Sequence, residues 1–544
     1  MQPDLEIELK FLVPRSARRA LAMEMARPVA SMERRVLSAM YFDTPDRRLA
    51  QASIAWRLRR EGRRWVQTLK AAGSNSLERF EHEVDRPGAS IDPALHAGTP
   101  VGDRLLKLLG NGEPVGLRYR TDVRRVLRRV RTRGAVVEIA FDEGTILTEP
   151  PVGSGEPARL RICELEFELL SGSVQAMLAM AERWRKRFGL IVDPRSKGER
   201  GDRLADGVPF PLLRKARAPG YRGDASAIEA FGAVLDECLD HIVRNAIGLV
   251  DGDPALRVEH VHQLRIGIRR LRSGLRSFRG WVPVVPQPLV DGLRQLFGTL
   301  GLARDSDVLD AGVALSLAEA GAPPLAPAVA GGRLDLREVV GDAEVQRLLL
   351  AWLAWRAGLA LAGPGSAPAG VRKNEPGAAG ESAAPESVSG AGGADAEAAG
   401  ACEETAQPTS GRAFRRRARR RLRRWHQAIA EMAQRFDALD AAALHELRKR
   451  IKRQRYAAEF FAPMLRRKSL VRYLKRVTIV QERLGELNDL LVARERYRDL
   501  LARDPAAWFA LGWLAARIDE SRPRVQSELD RLVRLDPPSA RRSG

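Results

Sequence analysis

Cysteine is nearly absent: Cys163, Cys238 and Cys402 are the only three in 544 residues. Three thiols so far apart exclude a disulfide scaffold, lack the spacing of a zinc site and suit a reducing compartment. Long apolar runs are missing as well. The most apolar stretch, Leu348 to Gly363, is broken by Arg356 and is too short to span a bilayer. The opening MQPDLEIELK has no apolar segment of the signal-peptide kind, so a cytoplasmic protein without membrane insertion is expected. Aromatic residues are 6% of the chain, which leaves few rings for stacking bases, and no nucleic-acid motif is present. The reading is therefore against a nucleic-acid partner. No GxxxxGKS or GxxxxGKT loop occurs, so any polyphosphate site must be built from side chains. Acid is in short supply: 69 Asp and Glu face 91 Lys and Arg, a formal charge of +22. The excess, mostly arginine, points to a polyanionic partner.

The length suits three or four domains of about 150 residues. Up to about residue 205, short runs alternate apolar and polar residues between Gly, Pro and Asp, the period of strands. A Pro/Gly/basic stretch within 206–224 reads as a linker. From 225 to about 535 the period is helical. That half is interrupted at 363–411 by an Ala/Gly/Ser/Pro/Glu segment with two basic and seven acidic residues and almost no large apolar ones. Such a composition buries too little surface to offset its ordering entropy, so disorder is expected there.

In the first part, strand alternation puts charges on one face. LEIELKF places Glu6, Glu8 and Lys10 together, opposite Leu5, Ile7, Leu9 and Phe11. Arg57 and Arg59 flank Leu58, and Arg79, Glu81 and Glu83 alternate with Phe80 and His82. Glu138 and Asp142 oppose Val137, Ile139 and Phe141; Glu164, Glu166 and Glu168 oppose Cys163, Leu165 and Phe167. A solvated polar face explains any one of these strands. The set suits a closed antiparallel barrel with both signs of charge in one lumen, just wide enough for one small ligand. Clustered carboxylates bind hard divalent cations, while Arg and Lys hold phosphate oxygens.

This ordered series resembles the CYTH domain of the triphosphate tunnel metalloenzymes. It comprises Glu6-x-Glu8-x-Lys10, Tyr41-Phe42-Asp43-Thr44, Arg57-Leu58-Arg59, Thr68-Leu69-Lys70, Arg79-x-Glu81-x-Glu83, Arg124, Glu138 with Asp142, Glu164-x-Glu166-x-Glu168, and Lys197 with Arg200. The resemblance covers residues 1–205 and implies an eight-stranded tunnel that hydrolyses or cyclises triphosphates with Mg²⁺ or Mn²⁺. It makes Glu6, Glu8, Asp142, Glu164 and Glu166 metal-site candidates, with Glu168 structural or a ligand. It makes Lys10, Arg57, Arg59, Lys70, Arg124, Lys197 and Arg200 phosphate-binding candidates. Glu81 and Glu83 are the candidates for orienting metal-bound water.

The helical half repeats itself. His262, Arg265, Arg269 and Arg272 stand at the same offsets as His445, Arg448, Lys452 and Arg455, and LGLARDSDVL and LGELNDLLVA follow at nearly equal distances. Offsets of 0, 3, 7 and 10 share one helical face, so each block carries a basic stripe. Like charges so stacked repel unless something neutralises them; a solvated basic face explains one such helix, and the second copy at the same offsets favours a bound anion. Two histidines on these stripes are read as anion contacts or as buried, hydrogen-bonded groups. These segments resemble the CHAD domain, a helical module of two four-helix repeats associated with inorganic polyphosphate. The departures are the 363–411 insert and the run Arg415 to Arg424, with eight arginines in ten positions.

The expected architecture is an α+β multidomain chain: an eight-stranded antiparallel β-barrel with helices (1–205), a linker (206–224), and an all-α bundle (225–535) with repeats at 225–362 and 412–535. This order of modules resembles the bacterial inorganic triphosphatases. The resemblance implies metal-dependent hydrolysis of tripolyphosphate to pyrophosphate and phosphate beside a polyphosphate-binding module. The alternatives are a thiamine or nucleoside triphosphatase or adenylate cyclase on the same tunnel, and a non-catalytic polyphosphate scaffold.

Overall fold

A computed structural model describes residues 5–29, 31–73, 75–110, 112, 114–149, 156–311, 313–323, 334–361 and 411–539, with backbone alone at 302–311, 314, 360 and 361. The insert expected at 363–411 lies outside the described residues except for Gly411, which opens a helix.

Nine strands form one sheet: β1 (Leu5–Leu12), β2 (Glu33–Asp43), β3 (Ile54–Glu61), β4 (Arg64–Ala72), β5 (Glu78–Arg86), β6 (Gly116–Thr132), β7 (Ala135–Thr148), β8 (Arg159–Gly172) and β9 (Ile191–Val192). The order β5-β4-β3-β2-β6-β7-β8-β1 closes on itself through an antiparallel β1–β5 pairing, with β9 added alongside β1. The result is an eight-stranded antiparallel barrel, which has no open edge across its eight main strands.

Register sets what the barrel contains, because directly paired residues point to the same face. Lys10 pairs with Glu166, Glu8 with Glu168, Glu6 with Arg79, and Lys70 with Glu81. Asp142 lies between Glu164 and Arg125. All of these face the lumen. The opposite faces of β1, β7 and β8 carry Leu9, Phe11, Ile139, Phe141, Leu165 and Phe167, which are buried outside the barrel wall.

Among the described residues, five α-helices accompany the barrel: α1 (Arg18–Met25), α2 (Arg48–Gln51), α3 (Pro100–Leu109), α4 (Val174–Phe188) and α5 (Lys197–Ala205). Helices α1 and α4 cover the apolar outer face; α2 and α3 cover Trp56 and Leu69 on β3 and β4. Helix α5 closes the lumen beside β6. Tyr119 donates its hydroxyl to the Gly198 carbonyl at 2.8 Å. A Cβ at Gly201 would stand 2.2 Å from the Tyr119 ring, so only glycine lets α5 sit this close.

The rest is helical: α6 (Ala227–Asp251), α7 (Arg257–Phe278), α8 (Gln287–Ala311), α9 (Val313–Glu319), α10 (Leu336–Gly341), α11 (Ala343–Leu361), α12 (Gly411–Ala433), α13 (Ala441–Phe460), α14 (Arg467–Leu500) and α15 (Ala507–Val533). Four long helices thus stand on each side of the 363–411 segment. Helix α6 starts with a Ser226–Glu229 capping box, and Asp440 caps α13 by accepting from the Ala443 amide at 2.8 Å. Cores of α6, α7, α8 and α11 merge with the outer barrel core, and α12 and α13 add Phe414, Leu422 and Phe460 to it; α12 to α15 also bury a second cluster around Leu447, Ile451, Val477 and Leu484. No described helix is long and apolar enough to cross a membrane.

The stretch read as a linker lacks regular structure but is pinned. Arg214 donates to Glu237 and Asp240, its carbonyl accepts from Asn245 at 2.8 Å, and Tyr221 donates to the Phe460 carbonyl at 2.7 Å.

Candidate functional site

One end of the lumen gathers Asp142, Glu164 and Glu166, each offering an oxygen within 4.8 Å of the others. Lys197, the first residue of α5, reaches all three, at 2.6 Å to Asp142 and 3.0 Å to Glu166. Arg125 grips Asp142 with two parallel bonds of 2.7 Å and Glu166 with one of 2.6 Å. Lys10 lies 3.4 Å from Glu166, and Arg200 donates to Glu164 at 3.1 Å. Burial opposes every charge here, and at most of them the partners prevail: Asp142 and Glu166 are held below the usual carboxylate range, and Lys10 and Lys197 above the usual lysine range. Glu164 is the exception, raised by burial and by Glu166 in spite of Lys197 and Arg200.

The other end is centred on β5. Glu81 takes Arg57 at 3.1 Å and also pairs with Lys70. Glu83 accepts from Arg59 at 3.1 Å and from Thr68 at 3.2 Å. Glu6 sits here, 3.8 Å from Lys70 and hydrogen-bonded to Glu81. Burial pushes Glu6 up to about 9, while Glu81 is held well below its ordinary range by Lys70 and Arg57 against the cost of burial. The two carboxyls therefore share one proton, with Glu6 as donor. Glu8 lies between the ends, at 3.2 Å from Lys10 and 3.1 Å from Arg79. Burial and Glu138 raise Glu168 to about 7.

Of the expected residues, Arg124 alone among the lumen candidates is placed elsewhere. It pairs with Glu143 on the exposed outer face, and its neighbour Arg125 takes the inward position. Glu6 and Glu8 are in the lumen but apart from the three-carboxylate cluster, which reduces the metal candidates that stand together to Asp142, Glu164 and Glu166. Three oxygen donors of this hardness fit Mg²⁺ or Mn²⁺.

In the helical half the two stripes meet. Arg269 of α7 acts electrostatically on Arg448 and Lys452 of α13. Burial, then Arg448 and Arg269, bring Lys452 down to about 7. Arg448 reaches Asp489 at 3.9 Å, and Asn488 hydrogen-bonds His445, so the Asn-Asp pair of α14 meets the second stripe. Arg455 is paired with Glu459 at 3.0 Å. The guanidinium groups of Arg265, Arg269 and Arg272 lie 4.7, 6.0 and 5.8 Å from the centre of the Phe297 ring, a platform the sequence did not single out. The Nε atoms of Arg269 and Arg448 are buried without a hydrogen-bond partner. His262 is half-buried on α7; the side chains of Arg304 and Asp305 lie outside the described residues.

Residues 4–201 match the CYTH domain and residues 233–498 the CHAD domain. The chain joins a CYTH domain to a CHAD domain. An inorganic triphosphatase of Haemophilus influenzae is 28% identical over 207 residues, 36% of this chain and 54% of that protein. The match thus spans about half the length of that curated relative. Among solved structures, the CHAD domain of the plant Ricinus communis is 29% identical, covering 61% of this chain and 99% of that one at a TM-score of 0.42. A Hippeastrum protein, described as a candidate adenylyl cyclase with a dominant triphosphatase activity, is 19% identical, covering 37% and 96% at a TM-score of 0.26.

Proposed function

We propose that the CYTH barrel hydrolyses inorganic triphosphate to pyrophosphate and phosphate with Mg²⁺ or Mn²⁺, and that the CHAD groove binds inorganic polyphosphate. The observation that carries this reading is the Asp142–Glu164–Glu166 cluster with Lys197 at its centre, inside a closed barrel lined by further cations.

Asp142, Glu164 and Glu166 are the residues that would hold the divalent ion. Such an ion supplies Lewis-acid stabilisation of the charge on the transferring phosphoryl group. Lys10, Arg125, Lys197 and Arg200 exchange their carboxylate partners for phosphate oxygens and fix the chain end to end. Hydrolysis adds water across one P–O–P bond: its oxygen joins the terminal phosphorus, and the bridging oxygen leaves with pyrophosphate. Ionised Glu81 is the proton acceptor and protonated Glu6 the donor in the adjacent pair, held by Lys70 and Arg57. In the CHAD half, a phosphate chain needs repeated cations and no bases, which suits the facing stripes of α7 and α13.

The test is phosphate release from tripolyphosphate with and without Mg²⁺ or Mn²⁺, in wild type, Glu166→Gln and Glu6→Ala. Release that needs metal and falls by about 10²-fold or more in both variants is expected. Nucleoside and thiamine triphosphates added as competitors rank the substrates. Absence of release from folded protein that still binds polyphosphate would overturn the catalytic reading in favour of a scaffold.

A further inference from the structure

Helix α5 brings Lys197 and Arg200 into the lumen, and its orientation decides where their charged groups sit. It has nine residues, so it is too short to be rigid by its own hydrogen bonds. Its inner side is held by Tyr119 on the Gly198 carbonyl at 2.8 Å, and Asp206 accepts from Arg118 at 3.1 Å. Glu199 points the other way. At 100° per residue it is turned about 200° from Lys197 and about 100° from Arg200, away from the lumen.

What Glu199 meets is the helical half. Arg244, in the C-terminal third of α6, donates Nη1 to both Glu199 oxygens at 2.8 and 3.0 Å. Its Nε is fixed by Asp240 at 2.7 Å, and the other Asp240 oxygen is taken by Arg214 at 2.6 Å. Arg244 therefore cannot swing without breaking a second ion pair. A weaker contact supports the same segment: Arg195, two residues before Lys197, bridges Asp193 and the partly exposed Asp251 at the end of α6, each at 2.7 Å.

We propose that Glu199 and Arg244 are positioning residues through which the CHAD domain fixes Lys197 and Arg200 for triphosphate binding in the CYTH lumen. This rests on the triphosphate reading above and adds to it a role for the helical half at the tunnel. Lys197 contacts three carboxylates at once, so small displacements of α5 change several contacts together. Supporting residues of this kind typically carry effects of about 10- to 100-fold although they touch no substrate.

The experiment uses the full chain as wild type, Arg244→Gln, Glu199→Gln, the double variant, Arg244→Lys and Gln175→Ala. The last removes a different contact between the halves, Gln175 to the Ala354 carbonyl at 3.2 Å. Tripolyphosphate affinity by calorimetry, KM and kcat for phosphate release, and the thermal midpoint are read for each. Arg244→Gln and Glu199→Gln are each expected to weaken affinity and raise KM by about 10-fold. The double variant should be no worse than either single one, since both remove one interaction. Arg244→Lys should recover most of the loss, and Gln175→Ala should leave the kinetics unchanged. Wild-type affinity and KM in Arg244→Gln, with or without a lower thermal midpoint, would overturn the proposal. If wild type binds tripolyphosphate without releasing phosphate, the hydrolytic reading fails, while the affinity arm still decides on Arg244. If wild type does not bind it, both fail.

Discussion

The two charged surfaces of this molecule follow opposite plans. In the lumen, buried cations are set against buried carboxylates: Lys197 touches Asp142, Glu164 and Glu166, and Arg125 touches two of the three. In the groove between α7 and α13, cations face cations. Among the described residues, Lys452 and Arg269 make no ion pair, and Arg448 reaches Asp489 only at 3.9 Å. The same physics then drives lysines apart. Burial penalises each charge, but pairing lifts Lys10 and Lys197 above their ordinary range while Lys452 falls to about 7. A ligand entering the lumen must exchange partners with groups already satisfied, which favours a defined shape and charge. A ligand entering the groove relieves a repulsion already present, which any chain of anions can do.

The sharpest way to break this contrast is to remove one lysine from each surface. Lys197→Met leaves three buried carboxylates short of a cation, and a loss of about 3 kcal/mol is expected, since removing one partner of a buried ion pair costs that much. Lys452→Met removes a cation crowded by Arg448 and Arg269, so its stability should match or exceed wild type. Urea unfolding of the full chain reads both; equal losses would mean that the groove is not under repulsion. Next in size, Arg269→Ala combined with Arg448→Ala should weaken affinity for long polyphosphate by about 10-fold or more at low salt, the difference shrinking as salt rises. An affinity that does not change would remove the facing stripes from the binding surface.

Much of this was legible as periodicity. Alternation by two identified the charged faces of β1, β3, β5 and β8, and the structure turns all of them inward. Spacing by three and four identified the stripes of α7 and α13. What alternation cannot supply is register. Strand β6 carries arginine at 124, 125, 128 and 129, on both faces, and only the pairing of Arg125 with Asp142 shows which one enters the lumen. Register along β1 likewise sets Glu6, paired with Arg79 of β5, apart from Glu166, which pairs with Lys10 farther along the same strand. Partners brought together from afar left no local signal at all: Phe297 under three arginines, or Arg244 against Glu199. The 206–224 stretch reads as a linker because Pro and Gly preclude regular structure, but composition does not reveal the acids of α6 that hold Arg214.

The smallest effect expected is also the most specific to the groove. Lys452 is faced by Arg448 and Arg455 on its own helix, by Arg269 from α7 and by Asp489 from α14. Near pH 7 it is about half neutral, because its pKa stands at about 7. A bound polyanion favours the charged form and raises that value, so binding takes up a proton and affinity increases as pH falls through about 7. The limit is about tenfold per pH unit on the alkaline side, the slope for one proton. His445, nearby, is lowered from its ordinary value chiefly by burial, so its protonation belongs to a more acid range and leaves the window above pH 7 to Lys452. Arginine stays charged throughout, and Lys452→Arg should therefore bind polyphosphate with little pH dependence and more tightly than wild type above about pH 8. Parallel pH profiles for the two proteins would show Lys452 charged across the range, and the groove would then be as well compensated as the lumen.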